Sequence, residues 1–114
     1  MVEFAMPIRT VSEANMREFW AVKAHRAKGQ RGTALLYTRT ALRKKKPMKP
    51  PLRITLTRIG KRKLDSDNLA RSFKAVRDGI ADAIGIDDGH ESLTWVYAQA
   101  KGAYSVTVRI EEEG

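Results

Sequence analysis

Two pairs of aspartates carry the chemistry that this sequence offers. Asp65 and Asp67 stand two residues apart behind three cations, Lys61, Arg62 and Lys63, and the pair Asp87 and Asp88 follows downstream. Carboxylate oxygens are the ligands that hard cations such as Mg²⁺ or Mn²⁺ take. A basic chain that keeps such carboxylates can draw in a polyanion and hold a metal ion against it, as metal-assisted hydrolysis of a phosphodiester requires. An EF-hand loop is the other use for Asp65, Ser66 and Asp67. It is excluded, because Ala70 stands where the loop needs glycine and Val76 where it needs its closing glutamate.

The balance of charge supports an anionic partner. The 114 residues, enough for one domain spanning 1–114 with a modest core, carry 22 Lys and Arg against 13 Asp and Glu, a net charge of +9. The sign is segregated: residues 1–64 hold 17 basic and 3 acidic side chains, residues 65–114 hold 5 and 10. No apolar run reaches the roughly 18–20 residues of a membrane-spanning helix and no signal-peptide pattern opens the chain, so nucleic acid is the expected partner and a membrane is not. The absence of cysteine removes disulfides and thiolate metal sites and fits a reducing cytoplasm. With aromatics at 7% and no stacked-aromatic signature, an RNA-binding module is disfavoured.

The elements that must position these residues follow from periodicity. Residues 2–9 alternate loosely and suit an edge strand, which Pro7 tolerates. Ser12 can cap a long helix from about 12 to 43, with Met16, Phe19, Trp20, Val22 and Ala24 favouring one side and Arg17, Lys23, Arg26, Lys28 and Arg31 the other. That cationic face is either solvated or tracks a phosphate backbone; Gly29 and Gly32 are positions for a kink. Residues 43–51 hold three prolines and five cations and make an extended basic loop, with Lys44, Lys45 and Lys46 as phosphate contacts or a solubilising linker.

Leu52, Ile54, Leu56 and Arg58 share one face of a strictly alternating strand. From Asn68, the spacing of Leu69, Phe73, Val76, Ile80, Ala83 and Ile84 predicts one amphipathic helix of about 17 residues, capped by Asp65 or Asp67 and ended by Gly85. Capping accounts for one aspartate, not for two and Asn68. Residues 92–100, where Leu93 and Trp95 compete with Thr94 and Val96 for the buried side, and 104–110 read as two strands of a hairpin. Residues 111–114 read as a charged tail. His25 and His90 are lone histidines expected at the surface. The order β-α-β-α-β-β is that of a two-layer α+β domain with a mostly antiparallel or mixed sheet.

The segment Asp65-Ser66-Asp67-Asn68-Leu69, a helix, then Asp87-Asp88 and two strands joined by Lys101-Gly102 resembles the RusA-type Holliday junction resolvases, over roughly residues 50–110. The resemblance implies a RusA-like fold and a dimeric, Mg²⁺-dependent endonuclease, bacterial or phage-encoded, that cuts four-way DNA junctions in recombination and repair. It also implies Asp65, Asp67 and Asp88 as metal-binding carboxylates, with Asp87 beside them. Arg71 stands where that family carries lysine, and because the segment between the motifs is about one helical turn longer here, Lys74 can take that place instead. In this reading Lys74 or Arg71 assists at the phosphate oxygens. Lys61, Arg62 and Lys63 hold the flanking backbone without sequence readout. A DNA- or junction-binding protein of the same fold without hydrolysis is the alternative.

Helix length adds a constraint. About 17 helical residues span roughly 25 Å, whereas ligands of one Mg²⁺ lie about 2 Å from it. Asp67 and Asp88, at opposite ends, therefore meet within one chain only if the helix breaks, with Gly79 the obvious place. Otherwise a second subunit completes the site, and antiparallel pairing of this helix across a two-fold axis would form two shared sites.

Overall fold

The computed structural model describes residues 1–11 and 19–113. In chain order the elements are β1 (Val2–Met6), α1 (Trp20–Arg43), β2 (Leu52–Gly60), α2 (Ser66–Ser72), α3 (Lys74–Ile84), β3 (Leu93–Lys101) and β4 (Ser105–Glu112). The strands form one mixed sheet in the order β1-β4-β2-β3, with β2 and β3 parallel and the other pairs antiparallel. The α+β class holds, and so does the edge position of the first strand, which stops before Pro7 instead of running to residue 9.

Alternation in the strands builds the core. Across the sheet Val2, Ile110, Ile54 and Trp95 form one row, Phe4, Val108, Leu56 and Tyr97 the next, and Met6, Val106, Arg58 and Gln99 a third, all on one face. Leu69, Phe73, Val76 and Ile80 of the helical layer complete the cluster with Ala34 from α1. Leu93 and Trp95 take the covered side of β3, while Thr94 and Val96 face out.

The expected hairpin does not form, because β2 lies between β3 and β4. Sequence neighbours pair by default, but here β2 spends one edge on the parallel β3 and the other on β4. β4 is flanked on both sides, and Val106, Val108 and Ile110 are fully buried. The turn from β3 to β4 instead crosses the end of β2, where the Gly102 N–H donates to the Gly60 carbonyl at 3.1 Å. A Cβ on Gly102 would come within 2.7 Å of Ile59 Cγ2, so only glycine makes that crossing freely. β4 also runs on to Glu112, through part of the presumed tail, and the Lys49 N–H donates to the Glu112 carboxylate at 2.8 Å.

The single amphipathic helix is two helices. α2 ends and α3 begins at Phe73 (φ −95°, ψ 0°), whose ring is fully buried and stacks on Tyr97 with centroids 5.6 Å apart. The stripe through Leu69, Phe73, Val76 and Ile80 stays in phase across the break, which is why its period reads as one helix. The break is at Phe73 and not at Gly79. Gly79 serves packing instead: a Cβ there would strike the Arg31 carbonyl oxygen and lie 2.7 Å from Ala34 Cβ, so glycine sets the close approach of α1 to α3.

The expected cap Ser12, with Met16 and Arg17, falls on residues 12–18, outside those described. From Trp20 onward α1 is helical, but its apolar start does not pack: Phe19 just before it is 84% exposed and Trp20 81%. The buried residues of α1 are Ala34 and Thr38, in its second half.

Candidate metal and nucleic-acid site

Local physics places the first aspartate pair. Asp65 is the N-cap of α2: its Oδ1 accepts from the Asn68 N–H at 2.9 Å, and its Oδ2 accepts from the Asn68 side-chain amide at 3.0 Å. One carboxylate and its asparagine thus have a structural duty. Asp67 does not cap; it stands exposed in the first turn. Just upstream, Lys61, Arg62 and Lys63 are exposed in the bend that leads out of β2. Below that bend lies Arg58, only 6% exposed, which donates from Nη1 to the Arg62 carbonyl at 2.7 Å and forms no ion pair among the described residues. The buried guanidinium pins the basic bend from beneath. Gly60 makes room for it, since a Cβ there would lie 2.8 Å from Nη1.

The second pair sits past the end of α3, where Gly85 (φ 85°) closes the helix in a left-handed conformation. Asp88 is fixed from several sides. Its Oδ2 meets Lys74 Nζ and Arg77 Nη2, each at 3.2 Å, and its carbonyl accepts from Trp95 Nε1 at 2.8 Å. Arg77 also donates to the Tyr97 hydroxyl at 2.7 Å and lies over the Trp95 ring. Asp87 is exposed and accepts the Gly89 N–H at 3.1 Å. Lys74, at the start of α3, bridges Asp78 (2.9 Å) and Asp88. The hydrogen bond to Asp78, with that to Asp88 adding to it, raises the Lys74 ammonium above its usual range, so at neutral pH it is a fixed charge. Arg71 is exposed and makes no ion pair among the described residues. His25 and His90 are at the surface, as expected.

Several residues here escaped the sequence reading. Arg77 is the anchor of Asp88, and Asp78 and Asp82 join Asp87 and Asp88 around a hollow of about 290 Å³ that Arg31 also lines. Arg31 grips Asp82 through two hydrogen bonds, at 2.7 and 3.0 Å, and holds its carboxyl below the usual range. The signal for Asp78 and Asp82 was their separation by one helical turn, which puts both on one face of α3. Arg77 had none, because its partners come from β3 and the loop before it.

The donor types suit Mg²⁺ or Mn²⁺, but their placement within one chain does not. Among the described residues no three Asp, Glu or His side chains converge to hold a metal ion. Asp65 and Asp67 start α2, whereas the chain after α3 turns back so that Asp88 lies beside Lys74 and Arg77 in the first turn of α3 and not a helix length away. There it meets cations and does not join the first pair in a metal-holding group. The exposed Lys44, Lys45 and Lys46 lie in the extended loop between α1 and β2. No helix is long and apolar enough to cross a membrane among the described residues. A comparison with protein-family models, curated proteins and solved structures finds no match.

Proposed function

We propose that this chain is a cytoplasmic, Mg²⁺- or Mn²⁺-dependent endonuclease acting on branched DNA, with a RusA-like architecture and metal sites completed between two copies. The observation that carries the reading is a strongly basic chain whose aspartates fall in two groups that, among the described residues, do not converge to hold a metal within one chain: Asp65 with Asp67 at the start of α2, and Asp78, Asp82, Asp87 and Asp88 around one hollow beside α3. A second copy that brings its own Asp65 and Asp67 against this second group would complete a site, and a two-fold axis would make two such sites. Such pairing leaves the apolar stripe of α2–α3 in place, buried in the chain's own core.

When bound, the ion would supply an acidified water and neutralise charge on the phosphoryl oxygens. The chain's own residues do the remainder. Lys61, Arg62, Lys63 and the loop cations Lys44, Lys45 and Lys46 hold the flanking backbone, contacts that give affinity without sequence readout. Arg71 or Lys74 places positive charge at the phosphate. Asp88 is oriented by Arg77, and Asp65 by its own cap.

One observation favours a second reading, a junction-binding protein without hydrolysis: Asp88 is already neutralised by Lys74 and Arg77. Divalent metal separates the two. The endonuclease converts a labelled four-way junction to nicked duplexes with Mg²⁺ or Mn²⁺ and leaves it whole in EDTA. A binder shifts the mobility of the junction under both conditions and cuts it under neither.

A further inference from the structure

α1 carries six cations between Trp20 and Arg43 and no carboxylate. Charges of one sign are not the mixed pattern of a salt-bridged surface helix, and they suit an anion. Between this helix and α2–α3 runs a groove of about 420 Å³, bordered by Lys28, Arg31, Arg71 and Lys74 against the single carboxylate Asp78. Two of its cations are already engaged, Arg31 by Asp82 and Lys74 by Asp78 and Asp88. Lys28 and Arg71 have no hydrogen bond or ion pair among the described residues and remain free for a ligand.

An aromatic ring stands beyond the groove residues on the same face of α1. Trp20, Ala24, Ala27 and Arg31 recur at helical spacing on one face of α1, and Ala27 and Arg31 are groove residues. Trp20 therefore stands about two turns, roughly 10 Å, beyond Ala27 along the helix. Its indole is 81% exposed, and along that face of α1 the residues between it and Arg31 are the small Ala24 and Ala27. On the opposite wall, Arg71 lies one turn from Asp67 on the same face of α2.

We infer that this groove binds an unpaired strand of nucleic acid: Trp20 stacks on a base at its mouth, Lys28 and Arg71 hold successive phosphates, and the strand leads toward Asp67. The charge calls for a polyanion. A base offers its flat face to an indole only when it is not enclosed in a duplex, and such stacking is tolerant of sequence. A groove between two packed helices also admits one strand and not a double helix. The inference rests on the proposed action on branched DNA, since a branch point is where duplex DNA presents unstacked bases.

The test is a fluorescence titration of the full chain with a short oligothymidylate, beside a blunt duplex of equal length. Tryptophan emission should be quenched by the oligothymidylate. Trp20→Ala should lose the quenching and about tenfold in affinity for the single strand, with duplex affinity and thermal melting unchanged. Trp20→Phe should keep most of the affinity, which a merely structural role for the indole would not require. Replacing Lys28 and Arg71 together by Gln should lower the salt dependence of single-strand binding by about 1.4 in log–log slope. Unchanged single-strand affinity in Trp20→Ala would overturn the inference. So would a shift of that variant from dimer to monomer in sedimentation with its affinity for DNA intact, which would assign the indole to a second copy. Failure to bind any DNA would instead remove the proposed function, so the two failures are distinguishable.

Discussion

Replacing Asp67 by Asn is expected to lower junction cleavage roughly a thousandfold while leaving binding and folding in place. The expectation follows from what Asp67 does not do. The cap of α2 is Asp65, which holds both Asn68 donors, so Asp67 contributes to the fold only through its charge in the first helical turn. That contribution is about 0.3–1 kcal/mol at an exposed site, a change of a few degrees in melting temperature. The charge it would bring to a metal ion is worth several kcal/mol of transition-state stabilisation, which converts to about three decades in rate. Junction affinity should hold or rise, because a negative charge near phosphate is lost. Gel-shift and nicking assays on one preparation, with a thermal melt, read all three quantities. A variant that melts far below the parent would mean that Asp67 is structural.

The second large effect lies in packing. Gly79→Ala should destabilise the protein by about 3 kcal/mol, because the added methyl meets the backbone of α1 at Arg31, Ala34 Cβ at 2.7 Å and the Leu35 nitrogen at 3.0 Å. In a domain of this size that lowers the melting temperature by roughly 10 °C or more. The same exchange at Gly29, in the exposed first half of α1 with nothing within 4 Å of a Cβ, should stabilise by about 0.5–1 kcal/mol. Opposite signs for one chemical change would establish that α1 and α3 meet at Gly79. Equal small shifts at both positions would contradict that contact.

Much of the fold is legible in the sequence wherever a local period decides the outcome. The alternation of β2 set its buried face correctly, Arg58 included, and the α+β order follows from the succession of periods. What eluded the reading is non-local. Whether β3 pairs with β4 depends on which strand occupies the edge between them, and no residue of the presumed hairpin records that β2 does. The break at Phe73 was hidden because the apolar stripe keeps its phase through it. Hydrophobicity gathers Phe19, Trp20 and Val22 on one side, but nothing local indicates that this side is left exposed. At the candidate site, residue types and spacing picked out Asp65, Asp67, Asp87 and Asp88. The anchoring of Asp88 by Arg77, Trp95 and Lys74 could not be read, since it joins helix, loop and strand.

Among the described residues the two groups of carboxylates do not converge within one chain, and subunit mixing tests the shared site most directly. Asp67→Asn and Asp88→Asn chains, each inactive alone, are combined and allowed to exchange, and nicking of a four-way junction in Mg²⁺ is measured. With sites shared across the two-fold axis, each mixed dimer has one site with both substitutions and one with neither, so nicking returns. If each chain builds its own site, every site in the mixture carries a substitution; an inactive mixture in which mixed dimers have been shown to form would contradict the shared site.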